Sequence, residues 1–152
     1  IEAIQFSMIH DDGMKTEDVK MADIIILGVS RTSKTPTSIY LANRGYKTLN
    51  IPLIENQDIP NELKERPQNF CVVGLSVEAG RLSDIRTNRL EVMKENKMSN
   101  YSNLRFIQEE IETSKKLFKK YNWPVIDVTR KSVEETAASI IRIFDIKKRK
   151  KK

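Results

Sequence analysis

The residues best suited to chemistry form one glycine-led, hydroxyl-rich run in the first third of the chain. Residues 28–35 read GVSRTSKT and match the phosphate-binding pattern G-x-x-x-x-G-K-[ST], except that Ser33 replaces the second glycine. In such loops, backbone N–H groups and the N-terminus of the following helix bind phosphate oxygens. Lys34 would reach the terminal phosphates, and the Thr35 hydroxyl would hold Mg²⁺. A polar loop that only caps a helix explains the same residues equally well.

The predicted cofactor-binding set is the whole of this loop together with Arg130. The loop members are Gly28, Val29, Ser30, Arg31, Thr32, Ser33, Lys34 and Thr35. The serine at position 33 is a departure from the general pattern, because glycine usually frees the backbone at that point.

The single histidine of the chain lies beside two carboxylates, in the run His10-Asp11-Asp12-Gly13. An imidazole next to paired carboxylates can bind Mg²⁺ or handle a hydroxyl proton, so these three side chains are catalytic candidates together with Lys34. Asp-Gly is also a strong turn signal. The residue types alone favour a polar turn closed by Gly13.

Two further candidates follow an apolar run late in the chain. Asp127 ends the run 124–126 and resembles the metal-supporting acid of phosphate-loop enzymes, so it is a candidate metal ligand together with Thr35. Arg130 precedes a helix that a capping box predicts to begin at Ser132, where an anion could bind. A loop-capping aspartate and a solvated cation are the alternatives.

Three arginines, Arg81, Arg86 and Arg89, fall on one predicted helix. Arg86 and Arg89 are three residues apart and therefore share a face. This arrangement is compatible with binding phosphate or an acidic partner. On charge alone, an ordinary solvated face is the better interpretation.

Strand and helix patterns alternate along the chain, which predicts an α/β fold: a P-loop-like, mainly parallel sheet with helices on both faces. Such a sheet binds ligands beyond the carboxyl ends of its strands. The expected strands are Ile24–Leu27, Thr48–Ile51, Phe70–Leu75 and Val125–Val128, and the expected helices are 36–44, 78–94, 104–121 and 133–146.

The length of 152 residues suits one domain, expected at 1–146, followed by a basic tail at 147–152. The six cations of this tail account for the whole net charge of +6, so the rest of the chain is neutral. We expect the tail to be disordered and no specific nucleic acid to bind. The single cysteine, Cys71, fits a reducing, cytoplasmic compartment. No apolar run reaches membrane-spanning length.

Taken together, these motifs resemble a known family. The matching segments are residues 1–6, 10–13, 28–38, 73–75 and 124–130, with the pairs 81–82, 85–86 and 89–90 in order between them. They resemble the pyruvate, phosphate dikinase regulatory proteins, a family that includes the phosphoenolpyruvate synthase regulatory proteins. The likeness covers nearly all of the chain except the basic tail. The run GVSRTSKTPTS is the most specific part, and the family also carries serine at the position of Ser33.

The resemblance implies a bifunctional serine/threonine kinase and phosphorylase. Such enzymes use ADP to phosphorylate a threonine of the dikinase or the synthase, and they remove the phosphate with inorganic phosphate, releasing pyrophosphate. One of Asp11 and Asp12 would orient the threonine hydroxyl or the attacking phosphate. Mg²⁺ is an expected cofactor, and a homodimer is compatible with the sequence. Family members are longer, so we expect this chain to be the C-terminal part of a longer protein.

Two other classes of function remain open from the residues alone. A small-molecule phosphate-loop kinase would use the same loop, but it would need a lid and an acceptor pocket, and the sequence carries no clear signature of either. A nucleic-acid-binding module would use the basic tail, which the neutral charge of the remaining chain argues against.

Overall fold

The computed structural model describes residues 21–29, 32–53, 59, 61–65, 70–92 and 103–150. Its centre is a four-stranded sheet in the order β2-β1-β3-β4, and each pair of neighbouring strands is parallel. This confirms the α/β prediction. The strands are β1 (Ile24–Gly28), β2 (Thr48–Pro52), β3 (Val72–Ser76) and β4 (Val125–Asp127).

Each predicted strand is present within one or two residues of its expected bounds. β1 and β3 read as continuous apolar runs because both of their faces are covered, and all five residues of each strand are buried. β4 lies at one edge of the sheet, where Ile126 is buried between two exposed residues. Local hydrophobicity is therefore sufficient to locate these strands.

Five helices are present in the described part of the chain. They are α1 (Lys34–Asn43), α2 (Asn61–Glu65), α3 (Ala79–Val92), α4 (Leu104–Lys120) and α5 (Val133–Lys150). Gly45 adopts φ 93° just after α1, and a glycine with positive φ commonly ends a helix. None of the described helices is long and apolar enough to cross a membrane.

The C-terminal helix is longer than the sequence predicted. α5 continues to Lys150, so the predictions that the helix ends near Ile146 and that a disordered tail begins at residue 147 are wrong for residues 147–150. Lysine and arginine are good helix formers, and no glycine or proline stops the helix after Ile146. Cations are also favourable near a helix C-terminus.

Alternate residues of β1 belong to two separate apolar cores, one on each face of the sheet. Ile24 and Ile26 pack in one core, which includes Leu41 of α1 and Ile140 of α5. Ile25 and Leu27 pack in the other, with Leu63 of α2, Phe118 of α4 and Trp123. Helices therefore cover both faces, as predicted, and apolar side chains pack against β1 from both sides.

At one position of β3, close packing requires a glycine, and backbone conformation does not. A Cβ atom at Gly74 would lie 2.5–2.6 Å from ring atoms of Phe118. The fully buried ring of Phe118 lies directly on the β3 backbone, which brings α4 close to the sheet.

The arginines of α3 are not one solvated face. Arg86 is buried, with a relative exposure of 1%, and its Nη1 donates to Glu110 Oε1 of α4 at 2.7 Å. Its Nη2 lies 3.4 Å from Glu110 Oε2, so the contact is bidentate. The solvated-face interpretation is therefore wrong for Arg86, which joins two helices. Arg81 is exposed, and the side chain of Arg89 lies outside the described residues.

Candidate phosphate-binding site

The predicted phosphate loop lies where the strand order reverses. After β1 the chain forms β2 on one side of it, and then crosses to form β3 on the other side. Connections that leave two neighbouring strands in opposite directions open a crevice beyond their carboxyl ends, which is the usual ligand position in such sheets. The loop after β1 is at this crevice, beside the end of β3.

The loop is closed by two side chains that bind the same carbonyl. Thr32 Oγ1 donates to Val29 O at 2.8 Å, and Lys34 Nζ donates to Val29 O at 2.7 Å. Thr32 is 1% exposed and Lys34 is 6% exposed. A lysine held this far inside its loop has few alternative conformations, so the loop fixes the position of its charge.

Gly28 is required by space at the start of the loop. A Cβ atom there would lie 2.7 Å from Thr32 Oγ1 and 3.3 Å from Leu75 O of β3. Any larger residue would push the loop away from β3 or open its internal hydrogen bond. The glycine that begins the sequence pattern therefore has a structural reason.

Ser33 has a left-handed backbone conformation, which glycine adopts without steric cost. Its φ is 66° and its ψ is 23°, in the left-handed region, and it occupies the N-cap of α1. Its side chain makes no capping hydrogen bond. At the position where the general pattern has glycine, this serine therefore has a strained backbone conformation that glycine adopts more readily.

We expect Ser33→Gly to raise the melting temperature. The left-handed conformation costs a non-glycine residue roughly 1–2 kcal/mol. The greater unfolded-state freedom of glycine, in contrast, lowers the stability of the variant by about 0.5–1 kcal/mol. The net gain is about 0–1.5 kcal/mol, and each kcal/mol corresponds to roughly 2–4 °C for a domain of this size. Thermal unfolding measures it, with Ser33→Ala, which keeps the strain, as the matched control. Equal melting temperatures for the two variants would contradict the strained geometry.

Thr35 meets a polar side chain that the sequence reading missed. Asn50 of β2 is 1% exposed, and its Nδ2 donates to Thr35 Oγ1 at 3.1 Å. A hydroxyl oxygen has two lone pairs, so this bond is compatible with metal coordination by the same oxygen. An asparagine in the middle of a buried strand is the signal that could have identified Asn50.

The carboxylate of Asp127 accepts hydrogen bonds from the loop that follows it. Its Oδ1 accepts hydrogen bonds from Thr129 Oγ1 at 2.5 Å and from Thr129 N at 2.9 Å. These bonds, the side-chain one first, hold the pKa of Asp127 below its ordinary value, since they favour the charged form. Their contribution to stability is therefore present above pH 3.8, the ordinary value, and is lost as the pH falls through the lower folded-state pKa.

The structure does not bring Asp127 next to Thr35. β3 separates β4 from β1, and two strand spacings amount to about 10 Å. A metal ion shared by these two side chains thus stays a prediction. Within the described residues, no group of three or more His, Cys, Asp or Glu side chains is placed to hold a metal ion.

A cleft lies at the same edge of the sheet, between the end of β3 and the loop after β4. It has a volume of about 640 Å³, and its lining residues are Glu78, Gly80, Arg81, Asp84, Thr129 and Arg130. Arg130 was predicted from the sequence as a phosphate contact, and the cleft is where the structure places it. Arg81 joins it there from α3.

The predicted capping box at the start of α5 is confirmed. Glu135 N donates to Ser132 Oγ at 3.1 Å, and Ser132 N donates to Glu135 Oε1 at 3.3 Å. The carboxylate of Glu135 therefore lies at this helix N-terminus and competes with any anion there. An anion near Arg130 would be bound by the cleft and not by α5.

Comparison with known proteins identifies the family. A sequence model of the kinase/pyrophosphorylase family matches residues 1–141. This chain belongs to the kinase/pyrophosphorylase family.

Relatives in this family carry the provisional name pyruvate, phosphate dikinase regulatory protein. The chain is 66% identical over 148 residues to one from Pelagibacter ubique (strain HTCC1062), which covers 97% of this chain and 54% of the relative. It is 49% identical over 144 residues to one from Caulobacter vibrioides, covering 95% of this chain and 45% of the relative. It is 50% identical over 147 residues to one from Anaplasma marginale (strain Florida), covering 97% of this chain and 52% of the relative. The chain spans about half the length of these relatives.

The described loop carries side chains of the types that bind phosphate groups. It offers a positioned cation at Lys34 and a hydroxyl at Thr35, which suit binding of a phosphate group. The acceptor side was assigned to His10, Asp11 and Asp12, and these residues lie outside the described part of the chain. Ser30 and Arg31 of the loop also lie outside it, so their predicted contacts stay predictions.

Proposed function

We propose that the protein is a bifunctional serine/threonine kinase and phosphorylase that acts on pyruvate, phosphate dikinase. The observation that carries this proposal is the loop with buried Lys34 and strained Ser33 at the strand-order reversal of a kinase/pyrophosphorylase chain. The provisional names of the relatives support the dikinase as the target. A cytoplasmic location would bring enzyme and target together.

In the phosphorylating direction, ADP is the donor and a threonine of the target is the acceptor. The threonine oxygen forms a bond to the β-phosphorus, the bond from that phosphorus to the bridging oxygen breaks, and AMP leaves. The hydroxyl proton passes to a base, for which Asp11 or Asp12 is proposed, with His10 beside them. Lys34 and the loop amides hold the β-phosphate and stabilise its charge, which is the main source of catalysis in phosphoryl transfer.

In the opposite direction, inorganic phosphate is the attacking group. One of its oxygens bonds to the phosphorus of phosphothreonine, the bond to the threonine oxygen breaks, and that oxygen takes a proton. Pyrophosphate leaves. The loop that holds the β-phosphate of ADP would hold inorganic phosphate in this direction, because both are phosphate groups that react with the same threonine.

Mg²⁺ fits the hydroxyl chemistry at Thr35, whose oxygen also accepts a hydrogen bond from Asn50. When bound, the ion would neutralise negative charge on the phosphate oxygens. Asp127 is the second proposed ligand, although its separation from Thr35 suits a water-mediated contact better than a direct one.

The test uses full-length protein with the purified dikinase and, in parallel, purified phosphoenolpyruvate synthase. With ADP labelled in the β-phosphate, we expect label on a threonine of the dikinase and one AMP for each threonine modified. With inorganic phosphate, we expect pyrophosphate and unmodified dikinase. Labelling of the synthase alone would move the same chemistry to the other target. Transfer from ATP to a small metabolite, with neither protein labelled, would replace the proposal with a small-molecule kinase.

A further inference from the structure

We propose that the cleft between α3 and the loop after β4 binds the phosphorylated segment of the protein target, with Arg81 and Arg130 holding the phosphate of its phosphothreonine. This inference rests on the proposed function and adds to it a subsite for the target that adjoins the phosphate loop, because inorganic phosphate held by the loop must reach the phosphorus of the phosphothreonine. Its position supports the assignment. The cleft opens at the carboxyl edge of β3, the strand whose Leu75 carbonyl meets Gly28 at the start of the loop.

The two arginines have the right chemistry and the right surroundings. Among the described residues, neither guanidinium forms an ion pair or a hydrogen bond, and both side chains are exposed in the cleft. A guanidinium binds phosphate through two parallel N–H donors, and such charge-assisted bonds are stronger than neutral ones. Arg86, on the same helix, differs from these two arginines because it already forms an ion pair with Glu110.

The loop that carries Arg130 is fixed in place by Thr129. Thr129 Oγ1 donates to Asp127 Oδ1 and accepts the N–H of Glu78 at 2.8 Å, so it joins the end of β4 to the segment before α3. These hydrogen bonds therefore fix the turn that carries Arg130, and with it the position of Arg130 relative to Arg81. Thr129 is a positioning residue in this arrangement.

The size and charge of the cleft favour a segment of polypeptide over a free anion. Its volume of about 640 Å³ lies within the range of roughly 300–1,000 Å³ for ligand sites and is far larger than one phosphate group needs. Its lining has two cations and two carboxylates, Glu78 and Asp84, so it offers no net attraction to ADP or inorganic phosphate. A peptide provides both a phosphate for the arginines and backbone N–H donors for the carboxylates.

The decisive experiment compares the two directions of the reaction in full-length Arg81→Ala and Arg130→Ala. We expect each variant to raise the KM for phosphorylated dikinase roughly ten- to a hundredfold, the effect of losing charge-assisted phosphate bonds. The KM for inorganic phosphate, the KM for ADP and the KM for unphosphorylated dikinase should change little. Arg142→Ala, on the exposed face of α5, is the matched control and should change none of them.

Two results would overturn the proposal. A raised KM for inorganic phosphate with an unchanged KM for phosphorylated dikinase would make the cleft a site for the free anion. Unchanged values for every substrate would remove the cleft from the reaction. Thr129→Val should raise the KM for phosphorylated dikinase less than either arginine variant does, and a larger effect would indicate that the fold of the loop, not the arginines, was disturbed.

A binding measurement separates this inference from the proposed function. Fluorescence anisotropy with a short labelled peptide carrying phosphothreonine, and with its unphosphorylated counterpart, needs no turnover. We expect full-length protein to prefer the phosphorylated peptide and Arg81→Ala to lose that preference. If the unaltered protein shows no activity on the dikinase, the proposed function fails, while the peptide result still decides the cleft. No preference in the unaltered protein would refute the cleft assignment itself.

Discussion

Glu110→Ala is expected to lower the free energy of unfolding by about 3–5 kcal/mol, the cost of removing one member of a buried ion pair. Arg86 is 1% exposed, so the substitution leaves a guanidinium in the protein interior without the carboxylate that accepts from its Nη1 and Nη2. Domains are typically stable by about 5–15 kcal/mol, so this is a large share of the total. Denaturant unfolding measures it directly.

The two partners should not be equivalent. Glu110 keeps 21% of its side chain exposed, so Arg86→Met leaves a carboxylate that water can reach. We expect this variant to lose less stability than Glu110→Ala. The double substitution Arg86→Met with Glu110→Leu should recover most of the loss, because an apolar pair of similar volume needs no desolvated charge. Glu109→Ala, on the exposed neighbour, should change stability by less than about 0.5 kcal/mol. Equal losses for Glu110→Ala and Glu109→Ala would show that the pair does not support the fold.

The ion pair also shows where sequence reasoning stops. Arg86 lies in a helix with few apolar residues, and charge alone favours exposure. Its burial depends on Glu110, twenty-four positions away in another helix, and no local pattern records which helices meet. α2 was missed for a different reason. It has only five residues, too few for a helical repeat to be visible.

The features that the sequence did predict are local ones. The strands follow from short apolar runs, and the start of α5 follows from Ser132 and Glu135, whose spacing specifies a reciprocal pair of hydrogen bonds. The loop at residues 28–35 was also identified from spacing, and its binding of phosphate stays a prediction. The substitution at Ser33 weakened that interpretation, but Ser33 has the left-handed backbone that glycine usually adopts.

The cleft could not have been predicted from spacing. Arg81 and Arg130 are about fifty positions apart, and they meet only because β3 and β4 are neighbours in the sheet. Strand order depends on the packing of the whole domain, so residues joined by it become visible only in the structure. The sequence suggested Arg130 as an anion contact, and topology supplies its second arginine.

Lys34→Ala is expected to lower both the kinase and the phosphorylase activity of the full-length protein by roughly ten- to a hundredfold. Each charge-assisted contact to phosphate is worth about 1.5–3 kcal/mol, which gives this change in rate when the contact is made in the transition state. Both activities fall together because one loop holds the β-phosphate of ADP and the inorganic phosphate. Asp12→Asn, assigned to the acceptor side, should lower turnover while ADP binding, measured by calorimetry, stays largely intact.

Lys34 is buried and donates to Val29 O, so its removal could also disturb the loop. Lys34→Met retains the aliphatic stem and removes only the charge, and it should show the same double loss with a smaller change in melting temperature. Comparison of the Lys34 and Arg81 variants then distinguishes the role of the loop from the role of the cleft. Loss at Lys34 should act in both directions, whereas loss at Arg81 should act mainly on the phosphorylated target. Normal phosphate-dependent dephosphorylation by Lys34→Met would contradict a shared phosphate site, since inorganic phosphate would then have to bind away from the loop that holds ADP.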